Sequence, residues 1–596
     1  MLKMRDVIPL ALAAFPLLGA VPISPEEFAT AESDIGRYGG TLVIAQKAEP
    51  KTLNPVTALD APSREVIRRM TADLISINRH SHATEPGLAK SWTASKDGRV
   101  YTLQLRHGLR FSDGHKFDAD DVIFTFQVYL DEKIHSPQRD LLIVGGKPVV
   151  VRKIDSFTVR FELSEPYAAA ERIFDSIAIL PKHLLEPAYL SGSVNAAWNL
   201  SSPPATIAGL GPFLLKEYRP GERIVLQRNP HYWKMDRKGN RLPYLDALEF
   251  RFTGGEDGQV LQFVSGGTDV LGRISAKSFS ALLKEPRTQG DQLVDLGSGL
   301  EYNFLFFNLG PVDSTKDPGL AGKQSWFRQA AFRLALSEAI DRDSMVQLVY
   351  GGRGTPIWGH VTPGNKLWMN QGIPKPTRSV SHARERLAAA GFSWNSDGKL
   401  IDSRGVRVEF SILASASNAE RLQMATIIQD DLKELGIRVQ VVSLEFRALL
   451  DRVLNTRNYE ASVLGLGSGD VDPNPEMNVW LSSGGTHLWN PGQKQPATAW
   501  EAEIDQLMRR QVSELNREKR KKLYDRLQQV AAEQLPLICL VSPNILVAAR
   551  KSIGNFRPSI LDHYTLWNVD QLYFRQTPSA IGCILRTCGA SLPSDR

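Results

Sequence analysis

The sequence predicts an α/β protein with more than one domain. At 596 residues the chain is too long for a single hydrophobic core, and this length predicts two to four domains or lobes. The clearest local pattern is a helix at 419–435 between strands at 408–413 and 437–442. This order is typical of a βαβ unit, in which a right-handed crossover joins two parallel strands. We therefore expect an α/β layer in the C-terminal half.

The other elements are predicted in order along the chain. The first buried strand is expected at 40–45, so that order begins near Tyr38. A helix is expected to begin at Asp118, because this side chain can cap the helix and Asp121 places a second carboxylate at its positive end. Further strands are predicted at 101–106, 224–226, 248–252, 302–307 and 460–466. Further helices are predicted at 327–340, 383–390 and 499–534.

The composition excludes several classes of protein. With 42% hydrophobic and 23% charged residues, the chain resembles a soluble globular protein and not a disordered or fibrous one. Its net charge of +6 is spread over a large surface, which is too dilute for a nucleic-acid interface. The densest basic run, 517–522, lies inside the predicted helix 499–534. We interpret it as a solvated helix face, with a functional basic patch as the alternative.

The N-terminus has the pattern of an export signal. Lys3 and Arg5 precede an apolar run at 7–20 that is too short to span a bilayer but suits a signal peptide. We expect cleavage after Ala20, a polar leader at 21–37 and a periplasmic protein. No cysteine is available nearby to accept a lipid, so no lipid anchor is expected.

The chain has three cysteines, too few for a disulfide framework. Cys539 lies in an apolar run and is interpreted as a small buried residue. Cys583 and Cys588 lie in the tail at 576–596, where they could close a short loop or remain unpaired.

A glycine-rich segment follows the strand predicted at 460–466. Ligands of open α/β sheets bind beyond the carboxyl ends of strands, so the segment at 465–470 is a candidate ligand-facing loop. Its glycines could equally serve a tight turn.

The motifs of common catalytic sites are absent from the sequence. It lacks H-E-x-x-H, a Walker loop, a G-x-S-x-G nucleophile elbow and C-x-x-C, so we expect neither an enzyme nor a cofactor. His80, His82, His107 and His115 could gather around a metal. Scattered surface histidines are the preferred interpretation, and no metal site is expected.

An ordered set of short motifs extends along most of residues 38–575. The most specific block is Phe111-Ser-Asp-Gly114 followed by Asp118-Ala-Asp-Asp-Val122. Other blocks lie at 40–42, 52–55, 86–92, 209–213, 228–233, 241–246, 307–308, 328–330, 339–342 and 387–391. With these motifs the chain resembles family 5 of the bacterial extracytoplasmic solute-binding proteins, whose best-known members bind oligopeptides and dipeptides.

The resemblance implies a two-lobed α/β clamshell of the type II, cluster C periplasmic-binding-protein class, with an extra domain in the N-terminal lobe. The second lobe would span 306–539 and the extra domain 86–204. The first lobe would take 38–85, 205–305 and 540–575.

The function that the resemblance implies is ligand capture for an ABC importer. A monomer would bind a peptide or similar small polar ligand between its lobes and deliver it to a membrane permease. The alternative is a stand-alone sensory receptor of the same fold. A hydrolase on this scaffold is disfavoured because a catalytic constellation is missing.

The chain departs from the family at one position of the expected site. Peptide-binding members follow an apolar strand with Asp-x-x-Asp-Pro or Asp-x-x-Glu-Pro, whose first Asp pairs with the ligand's amino group. Aligning Asp472-Pro473 to this motif places Gly469 at the anchor, and keeping Asp470 as anchor requires a one-residue deletion. Peptide specificity is therefore open. Asp470 and Asp472 could bind a cationic group or bond to loop amides.

Two tryptophans follow this loop. Trp480 and Trp489 could offer flat contact area to a ligand in the expected cleft. Packing in the protein core is the alternative. The predicted ligand-binding residues are therefore Gly469, Asp470, Asp472, Trp480 and Trp489.

Overall fold

The computed structural model describes residues 27–575, which form three large sheets and five two-stranded ones, with helices around them. The first sheet is mixed and has eight strands. Thr41–Gln46 lies at its centre and pairs in parallel with Ala247–Phe252. A parallel pair requires a crossover connection, which the long intervening chain provides. The strand order is Phe213–Arg219, Arg223–Arg228, Ala247–Phe252, Thr41–Gln46, Val270–Leu271, Val541–Ala549 and Gln292–Ser298, with Gly354–Pro356 also paired to Val541–Ala549.

The second sheet has five strands and contains the predicted βαβ unit. Glu409–Ser415 and Arg438–Leu444 pair in parallel along their whole length, and helix Ala419–Lys433 connects them. Asn418 caps this helix by accepting a hydrogen bond from the Arg421 backbone N–H at 2.8 Å. The prediction of this unit is confirmed. The strand order is Arg438–Leu444, Glu409–Ser415, Ala461–Gly467, Glu301–Phe307 and Leu537–Cys539.

A third, antiparallel sheet lies between residues 89 and 162. Helix Ala119–Leu130 packs beside it, and the predicted cap at Asp118 is confirmed, because Asp118 accepts from Asp120 N at 2.8 Å. Asp121 accepts from Asp118 N at 3.1 Å, which completes a capping box. The strand order is Ala89–Ala94, Val100–Leu105, Thr158–Glu162 and Val150–Asp155. The remaining two-stranded pairs are Ala29–Thr30 with Lys234–Met235, Ile75–Ile77 with Thr84–Pro86, Ile143–Val144 with Lys147–Pro148, Ser393–Trp394 with Leu400–Ile401, and Ile553–Gly554 with Tyr573–Phe574.

The remaining α-helices surround the sheets. They are Ala61–Met70, Ala170–Asp175, Lys182–Leu190, Glu256–Val264, Ala276–Lys284, Pro318–Phe327, Ala330–Ala339, Arg342–Tyr350, Val380–Ala389, Phe446–Leu450, Met477–Trp480, Ala499–Ser513 and Arg517–Gln534.

The single helix predicted at 499–534 is wrong. The structure has two helices, Ala499–Ser513 and Arg517–Gln534, which pack against each other. The chain leaves helical geometry at Glu514, and the Asn516 side chain caps the second helix by accepting from Lys519 N at 3.0 Å. A local cap therefore breaks a continuous helical pattern into a hairpin.

The expectation that order begins near Tyr38 is also wrong. Ala29–Thr30 pairs in parallel with Lys234–Met235. The Glu27 carboxylate is buried, forms an ion pair with Lys90 at 2.7 Å and accepts from His107 N at 2.7 Å. Residues 27–37 of the predicted leader are thus tied to the fold by strand pairing and charge.

Besides the excursion to strand Gly354–Pro356, two short adjacent connections join the first and second sheets. One crossing joins Gln292–Ser298 to Glu301–Phe307, and the other joins Leu537–Cys539 to Val541–Ala549. The crossings bond to each other, because Gly299 N donates to Pro543 O at 3.1 Å and Leu540 N donates to Asn303 O at 2.8 Å. We call this pair of segments the double crossing.

The predicted domain division stays a prediction, and its boundary at 305/306 falls inside strand Glu301–Phe307. Cys539 is buried in the core of the second sheet as a free thiol. The predicted signal peptide at 1–20 and the tail at 576–596, with Cys583 and Cys588, lie outside the described residues. Between residues 27 and 575, none of the helices has the length and apolar character needed to cross a membrane.

Candidate ligand-binding cleft

The glycine-rich segment leaves the second sheet at the end of strand Ala461–Gly467 and turns toward the first sheet. A side chain at Gly465 would collide with its neighbours, since a Cβ would lie 2.5 Å from Asn303 Oδ1. None of the glycines at 465, 467 and 469 has a positive φ. Of the two interpretations left open by the sequence, a tight turn is therefore not the reason for these glycines.

A cavity of about 160 Å³ lies where this segment faces elements of the first sheet. The Glu301 carboxylate accepts from Arg273 Nη2 at 2.6 Å and from Arg421 Nη2 at 3.1 Å. Arg421 Nε also donates to Asn303 Oδ1 at 2.9 Å, which links the cavity wall to the double crossing. The cavity is lined by Arg273, Leu300, Glu301, Gly467, Ser468, Gly469, Ile545, Ile560, Asp562 and Tyr564. Its walls are therefore charged and come from both large sheets.

Asp470 lies on the outer side of the segment and contacts the domain that contains the third sheet. Its carboxylate forms an ion pair with Arg172 Nη1 at 3.0 Å, and the two side chains are 25% and 19% exposed. Arg172 belongs to helix Ala170–Asp175, so this pair joins parts of the chain that are far apart in sequence. Burial raises the pKa of Asp470 above its ordinary value, although Arg172 acts in the opposite direction.

Asp472 lies on the inner side of the same segment. Its two oxygens accept from both terminal nitrogens of Arg520, each at 2.8 Å, in a bidentate geometry. Both side chains are almost completely buried, at 7% and 5% exposure. Arg520 also stacks over the Trp368 ring at 4.9 Å. The carboxylate of Asp472 is thus used to hold the segment against helix Arg517–Gln534.

Arg520 corrects the interpretation of the basic run 517–522 as a solvated helix face. Arg517, Lys519 and Lys522 are exposed as expected, but Arg520 points to the interior and donates to Gln511 as well as to Asp472. One residue of this basic run, Arg520, is therefore buried, and its partner Asp472 lies 48 residues earlier in the chain.

Trp480 and Trp489 pack in the core of the second sheet. They are 2% and 0% exposed, and their ring centroids lie 5.6 Å apart. Trp489 Nε1 donates to Glu501 Oε1 at 3.1 Å. The indoles support the glycine-rich segment from behind and do not line the 160 Å³ cavity.

Glu476 lies behind the same segment, beside the core of the second sheet. The Tyr302 hydroxyl donates to its Oε2 at 3.0 Å. Burial raises the pKa of Glu476 to about 7, against the opposite effect of the Tyr302 hydrogen bond. Two carboxyl groups are thus buried on the inner side of the segment. The charge of Asp472 is balanced by Arg520, whereas the raised pKa of Glu476 favours its neutral form.

The sequence analysis missed Arg172, Arg273, Glu301, Arg421 and Asp562. Arg421 could have been found, because it lies in the first turn of the helix that follows the carboxyl end of Glu409–Ser415, where open α/β sheets place ligands. No sequence pattern joins Arg172, Arg273 or Asp562 to this cleft, since they come from remote segments.

Three of the four histidines considered as metal ligands contact other rings. His80 lies edge-on to Trp567 with 5.3 Å between centroids, and His107 stacks on Phe157 at 4.1 Å. His115 stacks on His183 at 3.8 Å. No three histidine, cysteine or acidic side chains among residues 27–575 are grouped so that they could hold a metal ion.

The described geometry can be compared with known proteins. The family model described as "Bacterial extracellular solute-binding proteins, family 5 Middle" matches residues 83–487. A probable ABC transporter-binding protein of Deinococcus radiodurans is 28% identical over 565 residues, covering 91% of this chain and 94% of its own. The oligopeptide-binding protein AppA of Bacillus subtilis is 26% identical and covers 93% of this chain and 96% of its own.

The solved structures agree on the fold. The ABC transporter substrate-binding protein CtaP of Listeria monocytogenes superimposes with a TM-score of 0.73 at 22% identity, over 91% of this chain and 100% of that one. The two-lobed α/β clamshell predicted from the sequence is thereby confirmed. Because the family model covers more than half of its length, the chain belongs to family 5 of the bacterial extracellular solute-binding proteins.

Proposed function

We propose that this protein is the substrate-binding component of an ABC importer, which captures a peptide or similar small polar ligand and delivers it to a membrane permease. The observation that supports this most directly is the cavity of about 160 Å³ with charged walls from both large sheets. A ligand held there would contact both lobes at once, so binding would favour the closed arrangement.

Within this proposal, Gly469 lies at the ligand, Asp470 lies beside the cavity in its ion pair with Arg172, and the other predicted residues act from behind. Asp472 holds the segment through Arg520, and Trp480 and Trp489 pack below it. These three residues would thus shape the site without direct contact. A group fixed by its neighbours binds at a lower entropic cost than a mobile one.

Closure would use the double crossing as its hinge. Arg273 forms an ion pair with Glu301 of the second sheet, and Arg172 of the extra domain forms one with Asp470 beyond the end of that sheet. A backbone hydrogen bond from Ala168 N to Val512 O, at 2.7 Å, also joins the extra domain to helix Ala499–Ser513. These contacts would form when the lobes close and separate when they open.

The remaining features of the proposal follow from the sequence. We infer that the protein acts in the periplasm as a monomer, after cleavage of residues 1–20, without a lipid anchor and without catalytic activity. The lobes would take 38–85, 205–305 and 540–575 for the first, 306–539 for the second, and 86–204 for the extra domain.

Solution scattering tests the capture mechanism. We expect the radius of gyration of the purified mature protein to fall when a mixture of tripeptides to pentapeptides is added at saturation. Mass spectrometry of the same samples should recover these peptides intact. An unchanged radius in the presence of a peptide that binds by calorimetry would contradict closure, and cleaved peptides would contradict a purely binding role.

A further inference from the structure

Three carboxylates lie in or beside the cleft, and two of them have cationic partners. Glu301 is paired with Arg273 and Arg421, and Asp470 is paired with Arg172. Asp562 has no lysine, arginine or histidine within ion-pair distance in the part of the chain that the structure describes. Its side chain has one hydrogen bond, which the Tyr564 hydroxyl donates to Oδ1 at 3.3 Å. Of the two carboxylates that line the 160 Å³ cavity, Glu301 and Asp562, only Asp562 therefore lacks a cationic partner among the described residues.

Gly469 lies directly opposite this carboxylate. A Cβ at position 469 would lie 3.4 Å from Asp562 Oδ2, and no other heavy atom would lie within 4 Å of it. The φ of Gly469 is not positive, so its backbone conformation is open to any residue. The space beside Asp562, and not a backbone requirement, is thus what the glycine provides. A side chain at position 469 would begin in contact with the carboxylate and would occupy part of this space.

The segment that holds Asp562 is fixed on both sides. Ser559 Oγ donates to Arg79 O at 2.9 Å and accepts from Leu561 N at 3.2 Å. Leu561 is buried, and His563 Nδ1 lies 2.6 Å from Glu65 Oε2. Asp562 itself is exposed between these anchored neighbours. Its carboxylate is therefore presented to the cavity by a rigid stretch of backbone, as in preorganised binding sites.

The size of the cavity limits the group that can enter. A volume of about 160 Å³ is smaller than the roughly 300 to 1,000 Å³ of sites that enclose a whole drug-sized ligand. It suits one end of a ligand. A primary ammonium is compact, carries three donors and can bond to a carboxylate while its remaining donors reach backbone carbonyl groups.

We propose that Asp562 binds a primary ammonium group of the ligand in the space that Gly469 leaves open. This inference rests on the proposed capture function and names the chemistry of one end of its ligand. The negative anchor comes from the first lobe, through Asp562, and the second lobe contributes the bare backbone at Gly469. Specificity for an ammonium would then depend on closure, because the two residues meet only when the lobes approach.

The test uses three probes that differ in the presence and position of one ammonium. They are tri-alanine, N-acetyl-tri-alanine and N-acetyl-lysine amide, each titrated by calorimetry into the mature protein. We expect binding of at least one ammonium-bearing probe, and binding of N-acetyl-tri-alanine at least 30-fold weaker. Tri-alanine binding would identify a chain-terminal ammonium, and N-acetyl-lysine amide binding a side-chain ammonium.

The variant Asp562→Asn should weaken the ammonium-bearing probe by 30-fold or more while the melting temperature stays unchanged, because no protein cation loses its partner. Gly469→Leu should weaken the same probe by covering the carboxylate. Asp397→Asn, which alters an exposed acid in a turn of the second lobe, is the matched control and should bind as the wild type does.

Wild-type affinity in Asp562→Asn, or tight binding of N-acetyl-tri-alanine, would overturn the assignment of an ammonium to Asp562 while leaving ligand capture intact. A failure of all three probes, together with no closure in the peptide mixture, would overturn both this inference and peptide capture. The two failures are therefore distinguishable.

Discussion

Asp470 and Asp472 lie two residues apart on one segment, yet their side chains form ion pairs with different parts of the molecule. On the inner side, Asp472 is 7% exposed and locked to a buried guanidinium within one lobe. On the outer side, Asp470 is 25% exposed and meets an arginine of another domain across the cleft. The same carboxylate chemistry thus serves stability on one side and the contact between lobes on the other. Burial and the origin of the partner, not residue type, decide which.

The largest effect is expected from breaking the inner pair. Asp472→Asn should lower the free energy of unfolding by about 3 to 5 kcal/mol, because it leaves the Arg520 charge buried without its counter-ion. Guanidinium chloride titration measures this loss. The double variant Asp472→Leu with Arg520→Met should recover most of the stability, since it removes both charges. A loss below about 1 kcal/mol in the single variant would show that the inner side is not structural.

A smaller effect is expected from Glu476, on the same inner side. Its pKa of about 7 lies above the ordinary value of 4.5, so the folded state favours the protonated form. The stability that this group contributes is present below pH 4.5 and is lost as the pH rises through about 7. Between pH 5 and pH 8, the wild type should therefore lose about 1 to 3 kcal/mol relative to Glu476→Gln.

Denaturation of both proteins at the two pH values checks this expectation. If the difference between wild type and Glu476→Gln is the same at pH 5 and pH 8, the carboxyl group does not titrate in this range.

The smallest effect on stability is expected on the outer side. Asp470→Asn should change the free energy of unfolding by less than about 1 kcal/mol, because the pair is partly exposed. It should instead increase the radius of gyration of the ligand-free protein, since one closing contact is lost. The affinity for a bound probe should fall by less than about tenfold. Asp120→Asn is the matched control, because it removes the ion pair to Lys153 within a single domain.

The free energy of unfolding could fall as far in Asp470→Asn as in Asp472→Asn. This result would contradict the assignment of a structural role to the inner pair alone. An unchanged radius would remove Arg172 and Asp470 from the closing mechanism.

Much of the fold could be predicted because its signals are local. The βαβ unit and the helix start at Asp118 were predicted correctly from segments of fewer than 40 residues, where hydrophobic period and cap chemistry are sufficient. The break at 514–516 was missed, although Asn516 is a good capping residue, because the helical pattern continues on both sides of it.

Only one of the two walls of the 160 Å³ cavity could be predicted from the sequence. The exit of strand Ala461–Gly467 indicated the wall that contains Gly469. The facing wall contains Arg273 and Asp562, which lie 289 positions apart in the numbering and share no pattern with the exit segment. Arg273 and Asp562 reach the same cavity as Gly469 only through the packing of the sheets. A local hydrophobic pattern in the sequence does not encode this packing.

The double crossing constrains how the two halves of the molecule can move. A single flexible connection would permit twisting, sliding and bending, whereas two neighbouring backbone segments that bond to each other resist the first two. Bending about an axis near Leu300 and Leu540 is the motion that stretches neither segment. A single opening angle would then describe the motion of the two halves. One pair of spectroscopic labels across the cleft would be enough to follow it.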